Sequence, residues 1–321
     1  MVALSNEEVF KMKKYKILLK EHIDKNALEI LKESCTITDD FDEIENVDAI
    51  IIRAEKVTRE MIAKAKKLKV IGKHGVGYDS IDIQASKEFG IDVVYTPIAN
   101  IQSVGELIIA LMMNTARNVS LSFERGKKNL NKTIAPKELI GYQLNHKKLG
   151  IVGAGKINRI AANIAKVGFN MEVLAYDPFI SEEDCNELGF KKAQSLEWVM
   201  ETSDFISISV PLTGDTKHLI NKTMLDLMKS SAILINTSRG GVVDEDALYH
   251  ALYNKSIFAA ASDVFVNEPP THENKLLSLD NFVATPHVGA NTHEAMELMG
   301  STVVNEVLLV LNGRTPNYRV L

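Results

Sequence analysis

The chain has 321 residues, 45% of them hydrophobic and 25% charged, and a formal net charge of −5. That length supports two domains with sizeable cores, and the acid excess argues against a nucleic-acid or membrane surface as partner. The two cysteines, Cys35 and Cys185, form no C-x-x-C pair, so neither a disulfide framework nor a structural metal is expected, and a reducing, cytoplasmic setting is. The opening stretch 1–16 lacks the apolar core of a secretory signal. The longest apolar run, residues 107–113, is too short to span a bilayer.

Strand and helix patterns alternate along the chain. A strand at 15–20 precedes a helix at 24–34 that Asp24 would cap. The segments 47–53, 68–74 and 91–97 are short, β-branched and almost continuously apolar, as strands buried on both faces of a parallel sheet are. A helical pattern at 58–67 lies between two of them. A long helical pattern follows at 100–119, then a polar, irregular arm at 124–147. A second α/β set has strands at 149–155, 172–178, 205–211, 232–238, 258–265 and 282–287, and a final helix at 291–313 ends on Gly313. The expected fold class is α/β with two doubly wound parallel-sheet domains. One is expected to be discontinuous, 1–100 and 292–321, and flavodoxin-like; the other, 101–291, is expected to have the Rossmann winding.

The stretch 147–166, KKLGIVGAGKINRIAANIAK, places a glycine turn between a strand and a helix. Gly153 turns the backbone sharply, and Gly155 lets a pyrophosphate approach the N–H groups that open the helix. Asn158 stands where a third glycine would allow helix and strand to pack closely, so it is expected to push the helix slightly from its sheet or to reach another partner. Asp177 closes the next strand about 20 residues beyond that position, where an acid takes the ribose hydroxyls. Its neighbours Pro178 and Phe179 supply no arginine for a 2′-phosphate, which favours NAD over NADP.

Three more strand ends offer one reactive group each: Arg239 in NTSRGGVVDEDAL, Glu268 in DVFVNEPP and His287 in TPHVGANT. Singly, each also reads as a surface charge, a loop acid or a core histidine. Together they suit hydride transfer to a 2-keto acid. Arginine grips a carboxylate with two parallel hydrogen bonds, and histidine exchanges a proton with the carbonyl oxygen. The glutamate orients the ring and stabilises the imidazolium.

With LGIVGAGKINR, GVGYDSID and TPIANIQSVGELIIALM, these motifs resemble the D-isomer-specific 2-hydroxyacid dehydrogenases over nearly the whole chain, and most of all the D-3-phosphoglycerate dehydrogenases. The resemblance implies Arg239 as carboxylate anchor, His287 as acid/base and Glu268 as its partner. It implies cofactor contacts at Val76, Gly153, Gly155, Lys156, Ile157, Asp177, Val210, Pro211, Thr237, Ser238, Arg239, Asp263, His287, Gly289 and Ala290. The loop Gly75-Val76-Gly77 would meet the substrate carboxylate through N–H groups, and a homodimer would form through the cofactor domains, with the arm at 124–147 as the place of contact. Arg53 and Lys73, at strand ends, would take a substrate phosphate, or are solvated strand ends. Ser80, where relatives more often carry Asn, is expected to loosen its loop. The end at Leu321 implies a short form without a C-terminal regulatory domain, in which no serine feedback is expected. The expected function is oxidation of 3-phosphoglycerate to 3-phosphohydroxypyruvate in serine biosynthesis. Reduction of hydroxypyruvate or glyoxylate is the alternative within the class, and an NAD(H)-sensing binding protein the alternative outside it.

Overall fold

In a computed structural model, residues 14–321 are described. The sequence reading of residues 1–13 therefore lies outside the described residues. In chain order the first elements are β1 (Tyr15–Leu19), α1 (Lys25–Ser34), β2 (Cys35–Thr38), β3 (Ala49–Ile52), α2 (Arg59–Lys64), β4 (Val70–Lys73), α3 (Ile83–Glu88) and β5 (Asp92–Val94). Next come α4 (Ile101–Ala116), α5 (Val119–Lys127), β6 (Lys148–Val152), α6 (Lys156–Phe169), β7 (Glu172–Tyr176), α7 (Glu182–Glu187), β8 (Lys191–Lys192), α8 (Leu196–Thr202) and β9 (Phe205–Ile208). The chain closes with α9 (Lys222–Asp226), β10 (Ile233–Asn236), α10 (Glu245–Tyr253), β11 (Ala259–Ser262), β12 (Phe282–Ala284) and α11 (His293–Leu311). Two compact units result: the residues through Asn100 with Ala290–Leu321, and Ile101–Gly289.

The first unit is a five-stranded parallel sheet in the order β2-β1-β3-β4-β5, the flavodoxin-like winding. Alternate residues of the central strands serve opposite faces. Ile17, Ile51, Val70 and Val94 pack with Val303 and Val307 of α11, while Leu18, Ile50, Ile71 and Val93 pack with Ile62 and Ala85. Both faces are covered, which explains the unbroken apolar runs. Gly72 allows α11 its close approach, because a Cβ there would stand 2.6 Å from a Val307 methyl. Asp24 caps α1 by accepting from the N–H groups of Asn26 and Ala27, and Thr292 caps α11 through Ala295 N–H.

The second unit is a seven-stranded parallel sheet in the order β12-β11-β10-β9-β6-β7-β8. Counted within the unit this is the doubly wound order of a dinucleotide-binding fold with one strand added. The winding reverses between β6 and β9, and the crevice of such a sheet opens there.

Some elements depart from the sequence reading. Strands β2 and β8 are short edge strands whose composition gave no apolar run, CTIT and KK. The helical pattern 100–119 breaks at Asn118, which adopts a left-handed backbone (φ 50°), and α5 then runs into the stretch read as irregular. On α6 the fully buried face is Asn158, Ala161, Ala162 and Ala165, while Ile157 and Ile160 are partly buried. The small residues let the helix lie close to the sheet. Ile160 instead meets Gly105 of α4, where a Cβ would stand 2.6 Å from it. Among the described residues no helix is long and apolar enough to cross a membrane.

Candidate active site

The carboxyl ends of β10, β11 and β12 in the second unit carry Arg239, Glu268 and His287. Asn236, the last residue of β10, organises the first of these turns. Its Oδ1 accepts from Ser238 N–H at 3.0 Å and from Ser238 Oγ at 2.8 Å, and its Nδ2 donates to the Arg239 carbonyl at 3.0 Å. Gly240 then presses against the Phe265 backbone, so closely that any Cβ would collide with it. That contact brings the Arg239 turn beside the loop carrying Glu268.

Glu268 Oε1 accepts from Phe265 N–H at 2.9 Å, and Oε2 lies 2.7 Å from His287 Nδ1. Burial works against the Glu268 carboxylate, but the hydrogen bonds from His287 and Phe265 and the nearby charges of His287 and Arg239 outweigh it, so its pKa falls below the ordinary value. Glu268 is therefore an anion at neutral pH. It fixes the proton of His287 on Nδ1 and leaves Nε2 as the nitrogen that can exchange a proton.

His287 has a left-handed backbone (φ 54°), which costs free energy for a residue with a Cβ. Asp263, 2% exposed at the end of β11, holds the loop in that shape. Its carboxylate accepts from Thr285 Oγ1 at 2.6 Å, Val288 N–H at 2.8 Å and Gly289 N–H at 2.9 Å, and its carbonyl accepts from His287 N–H at 2.8 Å. Both carboxylate oxygens of Asp263 are thus engaged by the His287 loop.

At the other side of the switch point lies the glycine turn. Gly153 has φ 87°, and a Cβ there would collide with the Ser209 carbonyl, so only glycine closes this turn. Gly155 caps α6, Lys156 is its first residue and Ile157 follows. A Cβ added at Gly155 would meet nothing within 4 Å, so the helix N-terminus faces open space. Asp177 follows β7, with Oδ2 accepting from Ala154 N–H at 2.9 Å and Oδ1 from Phe179 N–H at 2.8 Å. Val210 and Pro211 follow β9. Thr237 Oγ1, after β10, is buried without a hydrogen-bond partner. An open helix N-terminus, an acid beside it and an orphaned hydroxyl at a neighbouring strand end together fit a dinucleotide.

For Asn158 the structure shows the second expectation, another partner, and not the first. The residue lies fully buried, its amide directed at the carbonyls of Val152, Gly153 and Ser207, so it holds the helix to the strands instead of displacing it. Three residues escaped the sequence reading: Asn236, Ser207 and Arg159. Asn236 had a signal, an Asn opening a turn-forming stretch. Arg159 had one too, as a cation in a helix first turn where the dipole disfavours it. It is retained by a 2.7 Å hydrogen bond to the Ala154 carbonyl.

Arg53, Lys73, Gly75, Val76, Gly77 and Ala290 belong to the first unit. Leu19, Ile51, Gly72 and Val94 share one register level across its sheet. Two residues further on, past the strand ends, stand Glu21, Arg53, His74 and Thr96. Glu21 accepts from the N–H groups of Arg53, Ala54 and Glu55. Arg53 donates to Asn291 Oδ1 at 2.6 Å, and burial lowers the guanidinium pKa although Glu21 opposes it. Lys73 is buried. Its ammonium donates to the Arg53 carbonyl and, at 3.0 Å, to Ser80 Oγ. Ser80 thus anchors the loop it was expected to loosen, because its hydroxyl receives a buried ammonium. The Gly75 N–H is engaged by the Lys73 carbonyl at 3.0 Å, which leaves Val76 and Gly77 to present theirs.

A Rossmann-type sheet with an arginine, a glutamate and a histidine at its strand ends defines a dinucleotide-dependent oxidoreductase class. Residues 109–289 match the model of the D-isomer specific 2-hydroxyacid dehydrogenase, NAD binding domain. The chain is 40% identical over 310 residues to a D-3-phosphoglycerate dehydrogenase of Methanocaldococcus jannaschii, covering 93% of this chain and 58% of that one. It therefore spans little more than half the length of that relative. It is 40% identical over 311 residues to a hydroxypyruvate reductase of Thermotoga maritima, covering 92% of this chain and 98% of that one. The structure of an Aquifex aeolicus D-lactate dehydrogenase complexed with NAD and lactic acid superposes with a TM-score of 0.82 at 30% identity, covering 93% of this chain and 96% of that one. The chain belongs to the D-isomer-specific 2-hydroxyacid dehydrogenase family, and its second unit carries the family's NAD-binding domain.

Proposed function

We propose that the protein interconverts a D-2-hydroxyacid and its 2-keto acid with NAD, with 3-phosphoglycerate as the hydroxyacid. The observation that carries the reaction is the His287–Glu268 pair at 2.7 Å, with Arg239 close enough for its charge to act on Glu268. Bound NAD supplies the hydride acceptor, or in reverse the donor. In oxidation His287 Nε2 would take the proton from the hydroxyl oxygen as the carbon bearing that hydroxyl gives up its hydride, and Glu268 would stabilise the imidazolium formed. In reduction the proton returns to the carbonyl oxygen. Arg239 would hold the carboxylate. Asp177 beside Pro178 and Phe179 favours NAD over NADP. Asp263 would act through the His287 loop it clamps, and the roles of Gly289 and Ala290 follow from the same loop.

Arg53 supports the phosphorylated substrate. Lys73 is the weaker member of that pair, since its ammonium is already turned inward. The second reading, hydroxypyruvate reduction, is favoured by the 40% identity to the T. maritima reductase over 311 residues. A panel of 3-phosphohydroxypyruvate, hydroxypyruvate, glyoxylate and pyruvate with NADH and NADPH separates the two. A preference for unphosphorylated acids overturns the first. NADH binding with no reduction of any of them leaves a sensor of NAD(H).

The reading includes a homodimer. Phe123, Ile134 and Ile140 in and after α5 are 63%, 100% and 71% exposed, an apolar arm suited to a second copy of the same domain. Asp in place of Phe123 and Ile134 should then halve the mass measured in solution. The two buried thiols, Cys35 and Cys185, suit a cytoplasmic setting.

A further inference from the structure

We propose that Asn158 and Ser207 form a positioning pair that sets the dinucleotide turn against β9, so that the side chain standing in place of the third glycine governs cofactor affinity. The inference rests on the NAD reading above. Strands β6 and β9 are neighbours, with Val152 opposite Ile208, yet the chain leaves β6 toward β7 on the other side. The crevice therefore opens between two strand ends that no short connection joins. Asn158 lies beneath it, with no solvent exposure. Its Nδ2 donates to the Gly153 carbonyl at 2.8 Å and stands 3.3 Å from the carbonyls of Val152 and Ser207. Its Oδ1 accepts from Ser207 Oγ at 2.7 Å.

This chemistry fixes the amide in one orientation. Three carbonyls on one side require the NH2, and the Ser207 hydroxyl, a donor, requires the oxygen; the flipped amide would set Oδ1 against three acceptors. One side chain thus ties the last residue of β6 and the first of the turn to the middle of β9. Two residues beyond Ser207, the Ser209 carbonyl abuts Gly153 so closely that no Cβ fits. The spacing between the turn and the segment 209–211 is set from below by the pair. Asn158 is too buried to touch a cofactor, so its action is through these backbones. A glycine at 158 would not restore an ordinary turn here. It would leave the Gly153 carbonyl and the Ser207 hydroxyl without the amide that partners them.

NADH titration by fluorescence, with steady-state kinetics on the full chain, tests this. Ser207→Ala is the mild variant, and Asn158→Leu removes the amide at similar volume. Each is expected to raise the Kd and KM for NADH about tenfold, the scale of a lost buried hydrogen bond. The KM for the keto acid, and kcat at saturation, should stay within about twofold of wild type. The double variant should be no weaker than Asn158→Leu, because the two act as one unit. A Ser207→Ala protein with lowered Tm but wild-type NADH affinity makes the pair purely structural and overturns the inference alone. A wild type that binds no NADH overturns the cofactor reading and the inference with it.

Discussion

At the carboxyl edge of the second sheet the acids are anchored. Glu268 is fixed by Phe265 and His287, Asp263 by Thr285, Val288 and Gly289, and Asp177 by Ala154 and Phe179. At the carboxyl edge of the first sheet, Arg53 and Lys73 put cations beside a buried His74, and Thr96 Oγ1 is buried without a hydrogen-bond partner. One edge is ordered by hydrogen bonds that set the geometry of the His287 ring and its loop. The other gathers positive charge around a buried imidazole, an arrangement that tolerates acid poorly.

The largest effect expected from this contrast is His287→Ala, which should lower kcat by roughly 10²–10⁴-fold while NADH affinity changes little. A small loss in single-turnover rate would mean that the second edge does not carry the chemistry. Next is the acid response of the first edge. Burial, with the charges of Arg53 and Lys73, depresses the His74 pKa from 6.5 to about 4, against the Met296 backbone and Glu21. The unfolded chain then binds a proton that the folded one refuses. The stability contributed is full above about 6.5, falls as pH drops, and is gone near 4. The loss is on the order of 3 kcal/mol, and urea unfolding of wild type and His74→Phe across that window reads it. Equal slopes would remove His74 as the cause.

A smaller effect separates the two cations. Arg53→Gln should raise KM about tenfold for a phosphorylated acid and leave unphosphorylated ones alone. Uniform losses would return Arg53 to a structural role. Smallest is Ser80→Ala, which removes one acceptor from the Lys73 ammonium and should lower the unfolding free energy by about 1 kcal/mol, read as a lower denaturation midpoint. An unchanged midpoint would show that the loop is held by other contacts.

Much of this was legible from periodicity. Runs such as VDAIIIR and AILINTS are apolar on both faces because helices cover both sides of each sheet, and Asp24 announced its helix by chemistry local to the chain. Edge strands β2 and β8 were not legible, since a strand paired on one side needs no apolar run. In the site, the reactive types at strand ends were readable as Arg239, Glu268 and His287. Ser207 and the anchoring of Ser80 were not, because each acts on a group brought near only by folding, as in the link between Asn158 and Ser207, 49 positions apart.

By itself the sequence determined the alternation of strand and helix, the turn glycine at 153 and the kinds of chemical group that stand at each strand end, because these depend on neighbours along the chain. Only the tertiary structure decided what those groups do to one another. It set Glu268 on Nδ1 of His287, turned Lys73 inward, and made Asn158 a tie instead of a wedge. Hydrogen bonds form between atoms within about 3 Å of each other, and for residues tens of positions apart it is the packing of whole strands and helices that brings them within that distance.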